Sequence, residues 1–441
     1  MHGTLPPPRR ERIAVIGAGI AGLSAAWLLR DAHDVVLYEA EPRLGGHADT
    51  QAVEVAGEPV AVDTGFIVYN EVNYPNLVAL FAALGVATEP SDMSFSVARL
   101  DRDLEYAGGS FAQLFADPRN ALSPRFWGML ADVLRFYRRA PALLASGDDA
   151  LTLGDYLDRE RYGAAFVHDH LLPMGAAIWS ASVAGMREFP ARAFVQFFQN
   201  HGLLRLSDRP RWRTVTGGSR RYVARIAAAL GPRVRAGRPV VAVRRDGSGV
   251  WILREGDVPE RFDRAVLAVH GDQALRLLAP PTEAEARILS AVRYQENRLV
   301  LHTDAALMPR RRKVWSSWNY LSTGVADETQ AVSVSYWMNR LQNLNTSLPL
   351  IASLNPFREP DPRSVLIERL YRHPQYDPAM LAAQKALPAI QGRDRVHFCG
   401  AWCGYGFHED GIASAVRVAE ALGAPPPWRS TSAPAPGEAL P

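Results

Sequence analysis

Lysine is almost missing from this chain. Of its 49 basic residues only Lys313 and Lys385 are lysines, so chemistry that needs an amine side chain has two places to occur. Cysteine is as scarce: Cys399 and Cys403 are the full set, four positions apart. Two thiols cannot make a disulfide scaffold, and they fit a reducing cytoplasm. No apolar run approaches the roughly 18 residues of a membrane span. The first ten residues are polar and proline-rich and lack the apolar core of a secretory signal. There is no internal repeat, no H-E-x-x-H, no C-x-x-C and no G-x-S-x-G, so no metal ligand set and no nucleophile elbow is read. A net charge of +3 makes no field for nucleic acid. What remains is an ordinary globular composition, 48% apolar and 22% charged over 441 residues. That length suits two or three domains, or one nucleotide fold with an inserted lobe.

The N-terminus carries the clearest pattern. Residues 12–16 are apolar and β-branched, as a buried parallel strand requires. Gly17-Ala18-Gly19-Ile20-Ala21-Gly22 follows, then a helix-forming run, then a second strand at 34–37 ending near Glu39 and Ala40. Gly17 permits a tight turn, Gly19 lets backbone approach a pyrophosphate, and Gly22 lets helix and strand pack closely. The helix N-terminus attracts the anion. Glu39 can accept from ribose hydroxyls and disfavours a 2′-phosphate. Next comes Arg43-Leu44-Gly45-Gly46-His47-Ala48-Asp49-Thr50, the R-x-G-G-x-x-x-T pattern that follows the acid in many FAD enzymes. The cofactor expected is therefore FAD.

These residues resemble the flavin-dependent amine oxidase and phytoene desaturase superfamily, and the far end agrees. Residues 396–402 read as a strand running into a turn, followed by Gly404-Tyr405-Gly406-Phe407-His408-Glu409-Asp410-Gly411 and a helix over 412–422. The resemblance implies that this end closes the same FAD site, with Gly400, Trp402, Asp410, Gly411, Ile412 and Ala413 beside the flavin. It implies that Asp63-Thr64-Gly65-Phe66 runs along the isoalloxazine, that Val241 brackets the adenine, and that Ala268 ends a strand returning to the nucleotide sheet. The expected fold is α/β: a discontinuous Rossmann-like FAD domain (1–90, 216–289 and 391–424) with an inserted α+β substrate domain (91–215 and 290–390). Residues 425–441, rich in Pro, Ala and Ser, read as a flexible tail.

The inserted segments are rich in aromatics, which suits a core or an apolar cavity over a flavin. Residues 124–144 predict an amphipathic helix ending in Arg138-Arg139. Residues 309–318 (PRRRKVWSSW) set four cations beside two tryptophans. Such a composition suits a membrane interface, or equally a solvated loop or internal ion-pair cluster. Amine-oxidising members of the superfamily typically hold a water at flavin N5 with a lysine, and the matching stretch 294–302 has none. The resemblance to a bacterial branch that modifies fatty-acyl chains, carried by GGHADT and GYGFHEDGI, implies an acyl-chain substrate. The expected reaction passes hydride from a substrate C–H to flavin N5, with dioxygen or a membrane acceptor as reoxidant. His408 and Tyr405 are the candidate residues on the substrate side, with His302 and Trp318 behind them. Cys399 and Cys403 read as small packing residues. An amine or porphyrinogen oxidase and a non-catalytic flavin-containing partner of a lipid-modifying enzyme stay open as alternatives. The expected partner is a lipid or other apolar small molecule, not nucleic acid. The expected location is the cytoplasm, with contact at the inner face of the membrane left open.

Overall fold

A computed structural model describes residues 10–148, 150–324 and 332–429. At its centre is a five-stranded parallel sheet, in the order Val234–Arg235, Asp34–Tyr38, Arg12–Ile16, Arg264–Leu267, Val396–Phe398. Ile13, Ala14 and Val15 are wholly buried, which is why this strand is apolar without alternation. Three distant stretches of chain supply the sheet. The helix Ile20–Leu29 is buried on every side, and the helix His408–Ala421 and the helix Arg220–Leu230 pack on it.

The inserted lobe is built on a seven-stranded mixed sheet. Its order is Val365–Pro374, Tyr294–His302, Ile351–Leu354, Val334–Trp337, Trp318–Ser322, Phe95–Arg99, Leu104–Ala107. The two halves of the lobe join where Trp318–Ser322 runs parallel to Phe95–Arg99. Helices from residues 111–200 complete this lobe. They are fixed to the sheet by a buried ion pair: Arg99 and Asp169 are each 1% exposed and 3.4 Å apart. Asp169 also accepts from Arg102 and Arg125. Enclosing that many charges is tolerable only because each has a partner.

Boundaries moved at several places. The C-terminal helix starts at His408, not at residue 412, which puts His408 in its first turn. The tail does not begin loose: Trp428 stacks on Trp27 at 6.2 Å and donates to Asn76 at 3.2 Å. The rest of the tail, 430–441, lies outside the described residues, as do residues 1–9. The amphipathic helix is Pro124–Arg139, capped by Ser123. The basic loop 309–318 is largely an internal ion-pair cluster. Arg310 pairs with Asp103 and Arg311 with Glu105 and Asp117, while Arg312 lies over the Trp315 ring at 3.6 Å. Trp315 is 6% exposed and donates to the Pro309 carbonyl, so it cannot meet a headgroup layer.

Candidate functional site

Both ends of the chain meet at one point. Gly17 donates to the Tyr38 carbonyl (2.8 Å), and Glu39 turns its carboxylate back to accept from Ala18 N at 2.7 Å. The Gly45-Gly46 turn docks on this loop: Gly45 N donates to Ala18 O at 2.8 Å, and a Cβ on Gly46 would stand 3.1 Å from Gly19 Cα. Ala268 N closes the other side by donating to Ile16 O at 2.8 Å. From the far end of the chain, Gly411 lies so close that a Cβ there would stand 2.7 Å from Ile20 Cγ2. Two helix N-termini, at Ile20 and His408, therefore converge; the first has no side-chain cap, and at the second Asp410 turns back to the Phe407 amide. Their free amides attract anionic groups. In front of Gly19 an added Cβ would meet nothing within 4 Å. This open, uncapped cradle fits the pyrophosphate of FAD.

Several expected cofactor residues have structural work of their own. Arg43 donates to the carbonyls of Gly46 (2.9 Å) and Ala48 (3.2 Å) and so shapes the turn. Asp63 is fully buried and accepts from Thr50 Oγ1, Ser219 N, Ser219 Oγ and Gln342 Nε2, all within 3.0 Å. It locks the FAD domain to the inserted lobe, and burial raises its pKa to about 6 despite these donors. Thr64 binds the Asp49 carbonyl and Tyr371. Gly65 approaches His47 O so closely that a Cβ would stand 2.2 Å away, which lets Phe66 N donate there. Asp410 folds the loop before the C-terminal helix by accepting from Phe407 N (2.9 Å), and burial raises it to about 6. Trp402 donates to Val269 O, and Gly400 N to Ser414 Oγ. Ile412 is wholly buried, with Ala413 beside it at intermediate exposure; Ala40 is exposed past Glu39, and Ala21 is buried in the first helix.

Three expectations are corrected. Val241 is 50% exposed at an irregular step of a separate three-stranded sheet. The chain beside Glu39 is instead residues 235–238, through Glu39 N to Arg235 O and Arg238 N to Glu39 O. His302 is wholly buried and bonded to Ser353 Oγ and Asp304 N. It ends the strand that begins at Tyr294, eight residues or about 26 Å away along the strand, so it takes no part at the site. Trp318 pairs with Phe95 and packs edge-on to Tyr336 inside the seven-stranded sheet.

His408 opens the helix His408–Ala421, beside Phe66. Its ring stacks on Phe66 at 3.7 Å, and its Nε2 meets Tyr222 OH at 3.2 Å. Burial pushes its pKa well below the usual histidine value, so it is neutral. Tyr405 lies just before it, facing Phe197 at 6.3 Å. The pattern missed two features. Glu409 accepts from Asn76 N and Leu77 N and so caps the helix Pro75–Leu84, with burial raising it to about 7. And His47 gathers Tyr371, His373 and His270, with ring centroids 5.2, 5.4 and 6.3 Å away. Burial lowers these histidines to about 4, 3 and 4 for His47, His373 and His270. His47 Nε2 and His270 Nδ1 have no protein partner. These orphaned nitrogens beside the Gly46 turn fit a planar cofactor with polar edges. Only the R-x-G-G-x-x-x-T signal pointed to His47; His270 and His373 sit on distant segments with no motif.

Fold and site together define an FAD-dependent oxidoreductase. The chain belongs to the flavin containing amine oxidoreductase family, whose model matches residues 20–423. It is 29% identical over 303 residues to the carotenoid phi-ring synthase of Streptomyces griseus, covering 62% of this chain and 54% of that protein. The chain thus spans about half the length of that curated relative. Its path follows putrescine oxidase with a TM-score of 0.69 and 16% identity, over 94% of this chain and 99% of that one. It also follows a CLA-producing fatty acid isomerase from P. acnes, with a TM-score of 0.66 and 16% identity, over 95% and 99%. Likeness at that identity shows the fold.

Proposed function

We propose that the protein dehydrogenates a lipid acyl chain. The observation that carries this reading is the wall beside the cofactor loop. Phe407 lies 5.0 Å from Phe197 and 6.4 Å from Trp179, and Phe189 joins Trp179 at 4.6 Å. The nearest titratable ring in that wall, His201, is held neutral at about 4 by burial. Trp179, Phe189 and Phe197 are buried, at 5%, 2% and 4% exposed, and such an apolar wall offers no fixed charge to bind an ammonium. Both lysines are elsewhere: Lys313 in the basic surface loop and Lys385 on the solvent side of the helix Pro378–Ala386. Bound FAD supplies a two-electron acceptor for hydride from a substrate C–H. Desaturation also releases a proton, which passes to solvent, because burial keeps the imidazoles of His408 and His47 from holding it.

The test is anaerobic mixing of the FAD-loaded protein with a phospholipid, a free fatty acid and an aliphatic diamine. Bleaching of the flavin by an acyl substrate, with loss of two hydrogens from that chain by mass, supports the reading. Bleaching by the diamine alone overturns it. That second outcome installs amine oxidation, the reading that the family's description favours.

A further inference from the structure

The helix Pro124–Arg139 departs from the pattern of a surface helix. Its inner side buries Phe126, Met129, Val133 and Phe136. Its outer side should then be charged, yet beside the exposed Arg125, Arg138 and Arg139 it also presents Trp127, Gly128, Ala131 and Leu134 to solvent. Among the described residues ten large apolar side chains are exposed. Four of them lie within residues 111–134: Phe111 at 81%, Leu122 at 85%, Trp127 at 51% and Leu134 at 43%. Leu134 lies two helical turns beyond Trp127, and Phe111 and Leu122 are linked to Trp127 through their neighbours. Phe115, one helical turn from Phe111, stands 5.4 Å from Trp127, and the Trp127 indole donates to the Ala121 carbonyl beside Leu122.

Cations flank this ridge. Lys313 is tied to it through its carbonyl, which accepts from Gln113 at 3.2 Å, and Arg138 donates to the Leu134 carbonyl at 3.1 Å. Neither forms an ion pair among the described residues, although most arginines of this lobe do. A cavity of about 210 Å³ opens alongside, but its Arg102, Arg119 and Arg125 are matched by Asp103, Asp117 and Asp169. The uncompensated charge therefore sits on the ridge and not in the cavity.

We propose that this ridge docks the protein on an anionic membrane surface. Phe111, Leu122 and Trp127 enter the headgroup layer, and Lys313 and Arg138 meet lipid phosphates. Side chains exposed above 80% protrude; they suit a fluid layer that parts around them better than a packed protein face. The paired positive charge and indole complement anionic headgroups. The proposal is independent of the substrate reading above, since it states where the protein sits and not what it oxidises.

The test uses the full chain loaded with FAD, cosedimented with vesicles of phosphatidylcholine alone or mixed with phosphatidylglycerol. Binding is expected to the mixed vesicles and to weaken in high salt. The triple change F111S/L122S/W127S should lower partitioning by roughly 100-fold. Lys313→Glu and Arg138→Glu should each lower it by at least about fivefold. FAD content should stay unchanged in every variant, and melting should fall only in the triple change, where Trp127 gives up its Phe115 packing and its Ala121 hydrogen bond. No binding by the unaltered protein overturns the proposal, and so does binding that survives the triple change. It is also overturned if the triple change abolishes self-association in solution while vesicle binding was never present, because the ridge is then a contact between copies.

Discussion

Two glycines three residues apart should fail in opposite ways when each becomes alanine. Gly22 has no room: an added Cβ would stand 1.8 Å from the Gly17 carbonyl oxygen and 3.0 Å from Ala268 Cβ. Backbone would have to move, and overpacking of that severity typically costs about 1–3 kcal/mol or more. Gly19 is the reverse. Its φ of −73° and ψ of −176° suit any residue, and its Cβ would meet nothing within 4 Å. Alanine there should leave the unliganded fold intact and even add about 0.4–1 kcal/mol by restricting the unfolded chain. The methyl would instead occupy the space where a pyrophosphate approaches the helix. Loss of one hydrogen bond to a charged group is worth about 1.5–3 kcal/mol, or roughly 10- to 150-fold in FAD affinity. The assay is paired: thermal melting with and without FAD, and flavin retained through gel filtration. Gly19→Ala should melt normally and lose FAD, whereas Gly22→Ala should melt early in both conditions. If Gly19→Ala holds FAD as tightly as the unaltered protein, the cradle has been placed wrongly.

Asp63→Asn should cost about 2–4 kcal/mol, because its amide turns a donor toward groups that are all donating. The folded pKa of Asp63, about 6, exceeds the roughly 3.9 of an unfolded chain. Its titration therefore favours folding below pH 4, and that contribution is lost as pH rises through 6. Urea midpoints between pH 4 and 7 should show this slope shrink in the variant. Asp169→Asn leaves Arg99 buried with its compensation weakened and should cost about 3–5 kcal/mol in the same assay. His408→Phe keeps the Phe66 stack and loses the Tyr222 contact; kcat should fall while FAD stays bound, and the parent pH profile should show no His408 ionisation between pH 6 and 8. Burial raises the Cys403 thiol to about 12 and Cys399 higher still. Neither should be alkylated in the native protein at pH 8, and both should react in urea.

The cofactor site was legible because its information is local. The glycine spacing at 17, 19 and 22, the acid at 39 and the Gly45-Gly46 turn lie within thirty residues of one another, and each glycine answers a steric need its neighbours create. The lysine shortage was legible too, and the fold leaves both lysines exposed, Lys313 in its loop and Lys385 on a helix. Tertiary structure alone decided what those motifs are tied to. Asp63 is bound to Ser219 and Gln342, 156 and 279 positions away, and no spacing rule spans such distances. His47, His270 and His373 become neighbours only once two lobes close on each other. Composition could not separate the tryptophan that lies inside its loop, Trp315, from the one that faces out, Trp127. Cations and indoles have the same composition in a membrane contact and in a folded ion-pair cluster, and only burial, a property of the whole chain packed together, tells them apart.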